Sequence, residues 1–174
     1  ILGGRGADAE IRDAVSGRTS GILTLRQIAL GGEGGYSGQI EVAKGAPAGD
    51  AQSILDVVDE HSIGLIVTSE AVGGDGGAVQ NDVIPLGAAA GDAGDALAET
   101  SVSAVNSVNA LAHATGGTGG SSSSLPQSTG GAAGTARAHA VGSNSGAADV
   151  VVSAISIGGL GGRGGGFSPG GGAS

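Results

Sequence analysis

The chain has 174 residues, of which 39 are glycine, one is tyrosine, one is phenylalanine and none is cysteine, methionine or tryptophan. This composition argues against a thick globular core, because aromatic side chains, each of which removes about 150–250 Å² from water, are almost missing. The lack of cysteine excludes disulfides and thiolate metal sites, and the formal net charge of −9 disfavours nucleic acid as a partner.

A repeat organises the chain. The motif Gly-Gly-x-Gly-Gly occurs at Gly31–Gly35, Gly73–Gly77, Gly116–Gly120 and Gly158–Gly162, and the spacing between successive copies is constant to within one position. An alanine precedes each motif at an equally constant distance, at Ala9, Ala51, Ala93 and Ala136. We therefore predict one repeat domain over residues 1–174. Its approximate units are 1–35, 36–77, 78–120 and 121–162, and residues 163–174 form a glycine-rich tail or the start of a further unit.

The first strand of each unit is predicted to begin at this alanine, over Ala9–Val15, Ala51–Val58, Ala93–Glu99 and Ala136–Val141. A helix fits Ala51–Glu60 when that segment is taken alone. The Val, Thr, Ser and Gly of its counterparts favour a strand instead. Glycines at 17, 64 and 146 supply turns between this strand and the next.

The second strand of each unit is predicted over the nine residues before each glycine motif, because they alternate with a period of two. In the last unit, Val150 and Val152 lie on the same face as Ala154 and Ser156. The other units place aliphatic and small residues in the same order, except that Gln27 takes one of these positions in the first unit. One face therefore has small side chains near the glycines and larger aliphatic side chains further from them. The opposite face is mixed and includes polar residues.

The glycine motifs themselves have a period of three, which is typical of polyproline II and lets neighbouring backbones approach closely. We predict an all-β fold, a repetitive β-solenoid or stacked β-sheet with glycine-rich polyproline-II-like segments, in four units of about 42 residues. Each unit is expected to bury the alanine and valine side chains on the face of the next unit. Ser121–Thr129 is predicted as a surface loop, and Asn81–Leu86 as a loop or short edge strand.

No pattern predicts an enzyme, and we predict no catalytic, cofactor-binding or metal-binding residue. Gly159–Gly164 matches Gly-x-Gly-x-x-Gly, but more glycine follows where a helix N-terminus would have to bind a pyrophosphate. The serine run Ser121–Ser124 has no paired base. The three histidines, His61, His113 and His139, occupy different phases of the repeat and do not form a row of ligands.

Calcium is the one cofactor that the sequence leaves open. Residues 31–100 hold twelve acidic residues and one lysine, and Asp50, Asp92 and Asp95 could supply oxygen ligands. The middle residue of the glycine motif, however, changes from Glu33 and Asp75 to threonine and leucine in later copies. The alternative to a weak calcium site is a solvated acidic face.

The segments Asn109–Gly120 (NALAHATGGTGG) and Ala136–Gly142 (ARAHAVG) resemble the Gly/Ala-rich repetitive surface and secreted proteins of bacteria, including the glycine-rich repeat regions of mycobacterial proteins. The resemblance covers all four units and is one of composition. It implies an extracellular structural or adhesive role and transfers no functional residues.

We therefore expect a non-enzymatic extracellular or cell-surface structural protein that assembles with copies of itself into a fibre or surface layer. Unfinished units at both termini would leave open edges that invite strand addition. The residues expected to self-associate are Val150, Val151, Val152, Ile155, Ile157, Gly158, Gly159, Gly161 and Gly162. The alternative is a glycine-rich adhesin whose loops bind a receptor or cell-surface glycan. No apolar run is long enough to predict a membrane span.

Overall fold

The computed structural model describes residues 3–38, 44–80, 87–122 and 128–165. These residues form strands, turns and irregular segments and contain no helix, and therefore no helix that could cross a membrane. The strands are β1 (Ala9–Arg12), β2 (Ile22–Leu30), β3 (Ser37–Gly38), β4 (Ala51–Asp59), β5 (Gly64–Val72), β6 (Val79–Gln80), β7 (Ala96–Ala104), β8 (Ser107–Thr115), β9 (Ala136–Asn144) and β10 (Val150–Ile157). The predicted all-β class is confirmed.

Two four-stranded sheets are formed by parallel pairing of equivalent strands. Sheet A has the order β1-β4-β7-β9, and sheet B has the order β10-β8-β5-β2. Short strands β3 and β6 make a third, two-stranded sheet. The chain passes from sheet A to sheet B within each unit, and the same position of successive units pairs across a sheet, as in Leu23 with Leu65 and Leu65 with Val108.

The core lies between sheets A and B, because alternate residues of each strand point towards the opposite sheet. Strand β8 alternates strictly, with its buried residues separated by partly exposed ones. Alanines form the core near the glycine segments, and Leu, Val and Ala form it at the other end, where Leu55 and Leu65 are each 1% exposed. The sheets are therefore held together by small aliphatic side chains.

The predicted repetitive β-solenoid or stacked β-sheet, with polyproline-II-like segments and four units of about 42 residues, is wrong. We expected each unit to cover the small-residue face of the next. The structure instead has two four-stranded parallel sheets that face each other. The reason is that equivalent strands use their edges to hydrogen-bond to one another. Their faces must then be buried by the second strand of the same and neighbouring units.

The predicted start of the first strand of the third unit, at Ala93, is also wrong. Strand β7 begins at Ala96, which pairs with Ala51 and Ala136, so the first strands are spaced less evenly along the chain than the glycine motifs. Ala93 lies in the preceding glycine segment, where its N–H donates to the carbonyl of Ala132 at 3.0 Å. Gly-Asp-Ala occurs twice in succession, at 91–93 and 94–96, and local sequence cannot choose between the two copies. The predicted element at 81–86 and residues 123–127 lie outside the described residues.

The glycine segments extend both sheets as hydrogen-bonded layers. Beyond sheet B, Gly31 N–H donates to Val72 O at 2.9 Å, and Gly34 N–H donates to Asp75 O at 2.8 Å, three residues later. The residue after each of these donors bonds across to the other layer, as Gly32 N–H does to Ala7 O at 2.8 Å. Of every three residues, one therefore bonds within its layer and one bonds between the layers. The third faces solvent.

Candidate self-association edge at β10

The residues predicted to self-associate lie in β10 and in the glycine segment that follows it. Strand β10 is the edge strand of sheet B and pairs with β8 alone among the described strands. Within the segment, Gly159 and Gly162 donate their N–H groups to Gly134 and Gly131, each at 2.9 Å, and are buried. The structure therefore separates the candidates. The valines and isoleucines of β10 are on the surface, whereas these two glycines contribute to the glycine layers.

Position in the sheet, and not residue type, exposes the apolar side chains of β10. Val152 is 42% exposed, although Val67, at the equivalent position of the second unit, is fully buried. Val150 is 38% exposed and its neighbour in the register, Val108, only 2%. These inward-facing residues lie at the end of the core, where the described chain places no further strand over them.

The outer face of β10 is apolar as well. Val151 is exposed, as are Ile155 and Ile157. Strand β10 carries no charged residue along its length. Charges on edge strands are a common protection against pairing with another chain, and β10 lacks this protection.

The backbone of β10 also has free hydrogen-bonding capacity. Val108 N–H donates to Asp149 O at 3.0 Å, and Gly116 N–H donates to Ile157 O at 2.9 Å. Odd-numbered residues of β10 therefore face β8, because alternate residues of a parallel strand bond to the same neighbour. It follows that the N–H and C=O groups of residues such as Val152 and Ala154 point away from the sheet.

Strand β9 forms the corresponding edge of sheet A, so both sheets end together. The two strands meet closely. A Cβ on Gly142 of β9 would lie 2.8 Å from Cγ2 of Val152 and 3.1 Å from Cγ1 of Val150. One outward N–H of β9, that of Ala138, is already occupied, because it donates to Ser156 Oγ at 2.9 Å. This end of the molecule therefore presents two strand edges with an apolar seam between them.

The opposite end of the core is covered by residues 13–20, which we call the cap segment. Asp13 has a φ of 47°, a left-handed conformation that aspartate tolerates, and it ends β1 after four residues. Its N–H donates to Ile54 O at 3.0 Å, and its Oδ1 accepts the N–H of Asp56 at 2.8 Å. Val15 then packs against the leucine-and-valine part of the core.

Gln27 holds the cap segment from inside the core. Its Oε1 accepts the N–H of Ala14 at 2.8 Å, and its Nε2 donates to Ile11 O at 3.1 Å and Ile54 O at 3.0 Å. Gln27 is 4% exposed. Sequence reasoning placed Gln27 only as one residue of an inward row and missed this role. The available signal was a large polar residue at the position that Ser69 and two alanines occupy in the other units.

The acidic residues considered as calcium ligands form hydrogen bonds between units. Asp50 Oδ1 accepts the N–H of Asp95 at 2.9 Å, and Asp95 Oδ1 accepts the N–H of Thr135 at 2.7 Å. Asp92 Oδ1 accepts the N–H of Ala132 at 2.8 Å. Each carboxylate thus satisfies the solvent-facing N–H of the next unit. Among the described residues, no group of three or more His, Asp or Glu side chains is placed to hold a metal ion.

A buried acid at the β4–β5 corner has a similar structural role. The Asp59 carboxylate accepts hydrogen bonds from the hydroxyl and the N–H of Ser62 and from the N–H of His61. The Ser62 hydroxyl is the main reason that the pKa of Asp59 is lowered, and burial opposes it. The His61 ring instead contacts Arg18 of the cap segment. The Ser62 hydroxyl therefore bonds to Asp59 and not to the His61 ring. Ser62 and His61 do not form a pair of nucleophile and base.

Comparison with known proteins gives no match to this chain, whether with family models, curated proteins or solved structures.

Proposed function

We propose that this protein is a non-enzymatic, extracellular structural protein whose copies associate through the β10 edge. The supporting observation is the contrast between Val152, which is 42% exposed, and Val67, which is buried at the equivalent position of the repeat. Burying such valines removes apolar surface from water, which is the dominant favourable term in most protein association. A strand edge beside them adds directed hydrogen bonds.

Assembly beyond this contact, into a fibre or a surface layer, requires another surface. An open apolar groove with a volume of about 330 Å³ runs along the outer face of sheet B. Its lining includes Ile22, Ile63, Ile66 and Val151. Exposed apolar patches of this kind are typical of interaction sites. We propose it as the side-to-side contact of the assembly.

Sedimentation analysis of the wild type and of Val152→Lys tests the proposal. The wild type is expected to rise above its monomer mass of 16.0 kDa as concentration increases. Val152→Lys is expected to remain at the monomer mass over the same range, because association would bury an inward-pointing charge at the strand edge.

Val58→Lys is the matched control. Val58 is more exposed than Val152 but lies on β4, in the interior of sheet A and away from the β10 edge. This variant should associate as the wild type does. Circular dichroism checks that each variant is folded. A wild type that stays at 16.0 kDa at every concentration contradicts the proposal.

A second candidate function, an adhesin, is favoured by the placement of the residues that flank 39–43, 81–86 and 123–127. Ser37–Gly38 pairs with Val79–Gln80, and Val79 also bridges Ser122. Lys44, Ala89 and Thr129 are bridged in the same way. The residues that flank 39–43, 81–86 and 123–127 are therefore collected at one end of the glycine layers. Binding of the monomeric Val152→Lys variant to a glycan array would support this candidate.

A further inference from the structure

We infer that two copies of the chain join head to head, with β10 of one copy antiparallel to β10 of the other. This contact joins two copies symmetrically and adds no third. The inference rests on the proposed function and adds its geometry. It follows from a difference between the two ends of the β-core. A head-to-tail row that continues the core needs two ends with uncovered core side chains, and the described residues offer only one.

The β2 end of the core is closed by the chain itself. Leu25, Gln27 and Ala29 point inward from β2, which is an edge strand of sheet B just as β10 is, yet all three are buried. The cap segment contacts Leu25 and Gln27, and Ala9 and Ile11 of β1 pack against the cluster that contains Ala29. A Cβ on Gly17 would lie 2.9 Å from Cδ1 of Leu23 and 3.6 Å from Cδ2 of Leu25. A second copy could bring its own core against these side chains only by displacing the cap segment and breaking the bonds of Gln27.

The β10 end is left to bind its own copy. When one surface binds itself, the two copies are related by a two-fold axis, and a strand edge that pairs with itself is antiparallel. Residues with outward backbone groups, such as Val152 and Ala154, can then exchange both hydrogen bonds with the partner strand. Full overlap of the eight-residue strand places the axis near Ser153 and Ala154.

The chemistry of the edge is compatible with self-pairing. No charge lies on β10, so two copies bring no like charges together at its centre. The same axis brings the β9 edges of sheet A together. The end face is about 27 Å long and 20 Å wide, and two such faces bury about 1,000 Å², which is near the lower limit for a specific interface. A weak pair that dissociates on dilution is therefore expected.

Cysteine cross-linking tests the geometry without background, because the chain contains no cysteine. Four single variants scan the middle of the strand: Val152→Cys, Ser153→Cys, Ala154→Cys and Ile155→Cys. Only a residue near a two-fold axis can form a disulfide with its own copy, since the Cα atoms must lie within about 7 Å. At least one variant should therefore give a covalent pair under mild oxidation, and the mass of Ile66→Lys, which blocks the sheet B groove, should rise with concentration and level off at a pair.

Thr24→Cys, on β2, is the control for the opposite arrangement. A mixture of Thr24→Cys with Ser153→Cys should give no mixed disulfide. Mixed disulfides, or oligomers longer than a pair that survive when the sheet B groove is blocked by Ile66→Lys, would overturn the head-to-head inference while leaving self-association intact. A wild type that remains monomeric overturns both the inference and the proposed function.

Discussion

At the scale of single residues, most glycines of the two layers are required by close approach of backbones and not by unusual dihedral angles. Among the described glycines, only Gly87 has a positive φ, at 89°. A Cβ on Gly117, by contrast, would collide with the carbonyl group of Gly74 in the neighbouring segment. Positions such as Gly117 therefore leave no room for a side chain, whereas the solvent-facing position accepts many.

Gly117→Ala and Gly4→Ala separate these two situations. We expect Gly117→Ala to lower the free energy of unfolding by about 1–3 kcal/mol or more, because a backbone cannot rotate away from the added methyl group as a side chain can. Gly4 has nothing within 4 Å of its Cβ position. Gly4→Ala should therefore be neutral or stabilise the fold by about 0.5 kcal/mol through the unfolded chain.

Denaturant titration of both variants, compared with the wild type, measures the difference. Equal losses of stability in the two variants would show that glycine is needed in these layers for a reason other than space.

The glycine motifs and their period of three are visible in the sequence. What could not be read from the sequence is the use of the exposed aspartates. Asp50 and Asp95 look like surface charges or cation ligands. Their partners are backbone N–H groups 45 and 40 residues further on, and a hydrogen bond of that kind becomes visible only when the register is known.

At the scale of elements, the corner between β4 and β5 links folding to pH. The Ser62 hydroxyl and two backbone N–H groups hold the pKa of Asp59 below its ordinary value of 3.8. A carboxyl whose pKa is lower in the folded state stabilises the fold fully above its unfolded pKa. That stabilisation is lost as the pH falls through the lower, folded-state pKa.

Unfolding of the wild type and of Asp59→Asn at a series of pH values tests this. The wild type should be more stable at neutral pH, and the difference should shrink as the pH falls below 3.8. Ser62→Ala removes the main cause of the shift and should bring the pKa of Asp59 back towards its ordinary value. A stability difference that stays constant between neutral and strongly acidic pH would contradict the assignment.

The second strand of each unit could be predicted closely, and the first could not. Strands β2, β5 and β8 each have the nine-residue bounds that the period of two indicates. The first strands have weaker patterns, and β1 stops after Arg12 because Asp13 leaves the extended conformation. The apolar content of β10 marked it as a self-association candidate. The cover over the other end could not be predicted in the same way. It depends on the side-chain amide of Gln27, whose oxygen accepts the N–H of Ala14, 13 residues earlier in the chain.

At the scale of the whole molecule, the two ends of the core differ in whether the chain covers them, although both are built from equivalent strands of the repeat. Gln27 and the cap segment close one end, whereas no described residue covers the inward side chains of β10 at the other. A head-to-head pair would continue sheet B through both copies as eight strands. Since the strands of the two copies run in opposite directions, the ends of their glycine layers that flank residues 39–43, 81–86 and 123–127 would point away from each other.

The glycine layers also bear on how the stability of the protein changes with temperature. Their interior is made of backbone groups bonded to one another, and unfolding exposes polar surface there. Exposure of polar surface lowers the heat capacity of unfolding, while exposure of apolar surface raises it. Calorimetry of the monomeric Val152→Lys variant should give a heat-capacity change per residue clearly below the usual range of about 12–15 cal/mol/K. A value within that range would contradict this expectation.

A small heat-capacity change flattens the stability curve, so the folded state should persist on cooling as well as on warming. Because glycine takes the place of larger apolar residues in these layers, less of the free energy of folding should come from the hydrophobic effect. The stability of the protein should then fall less as the temperature approaches the freezing point of water.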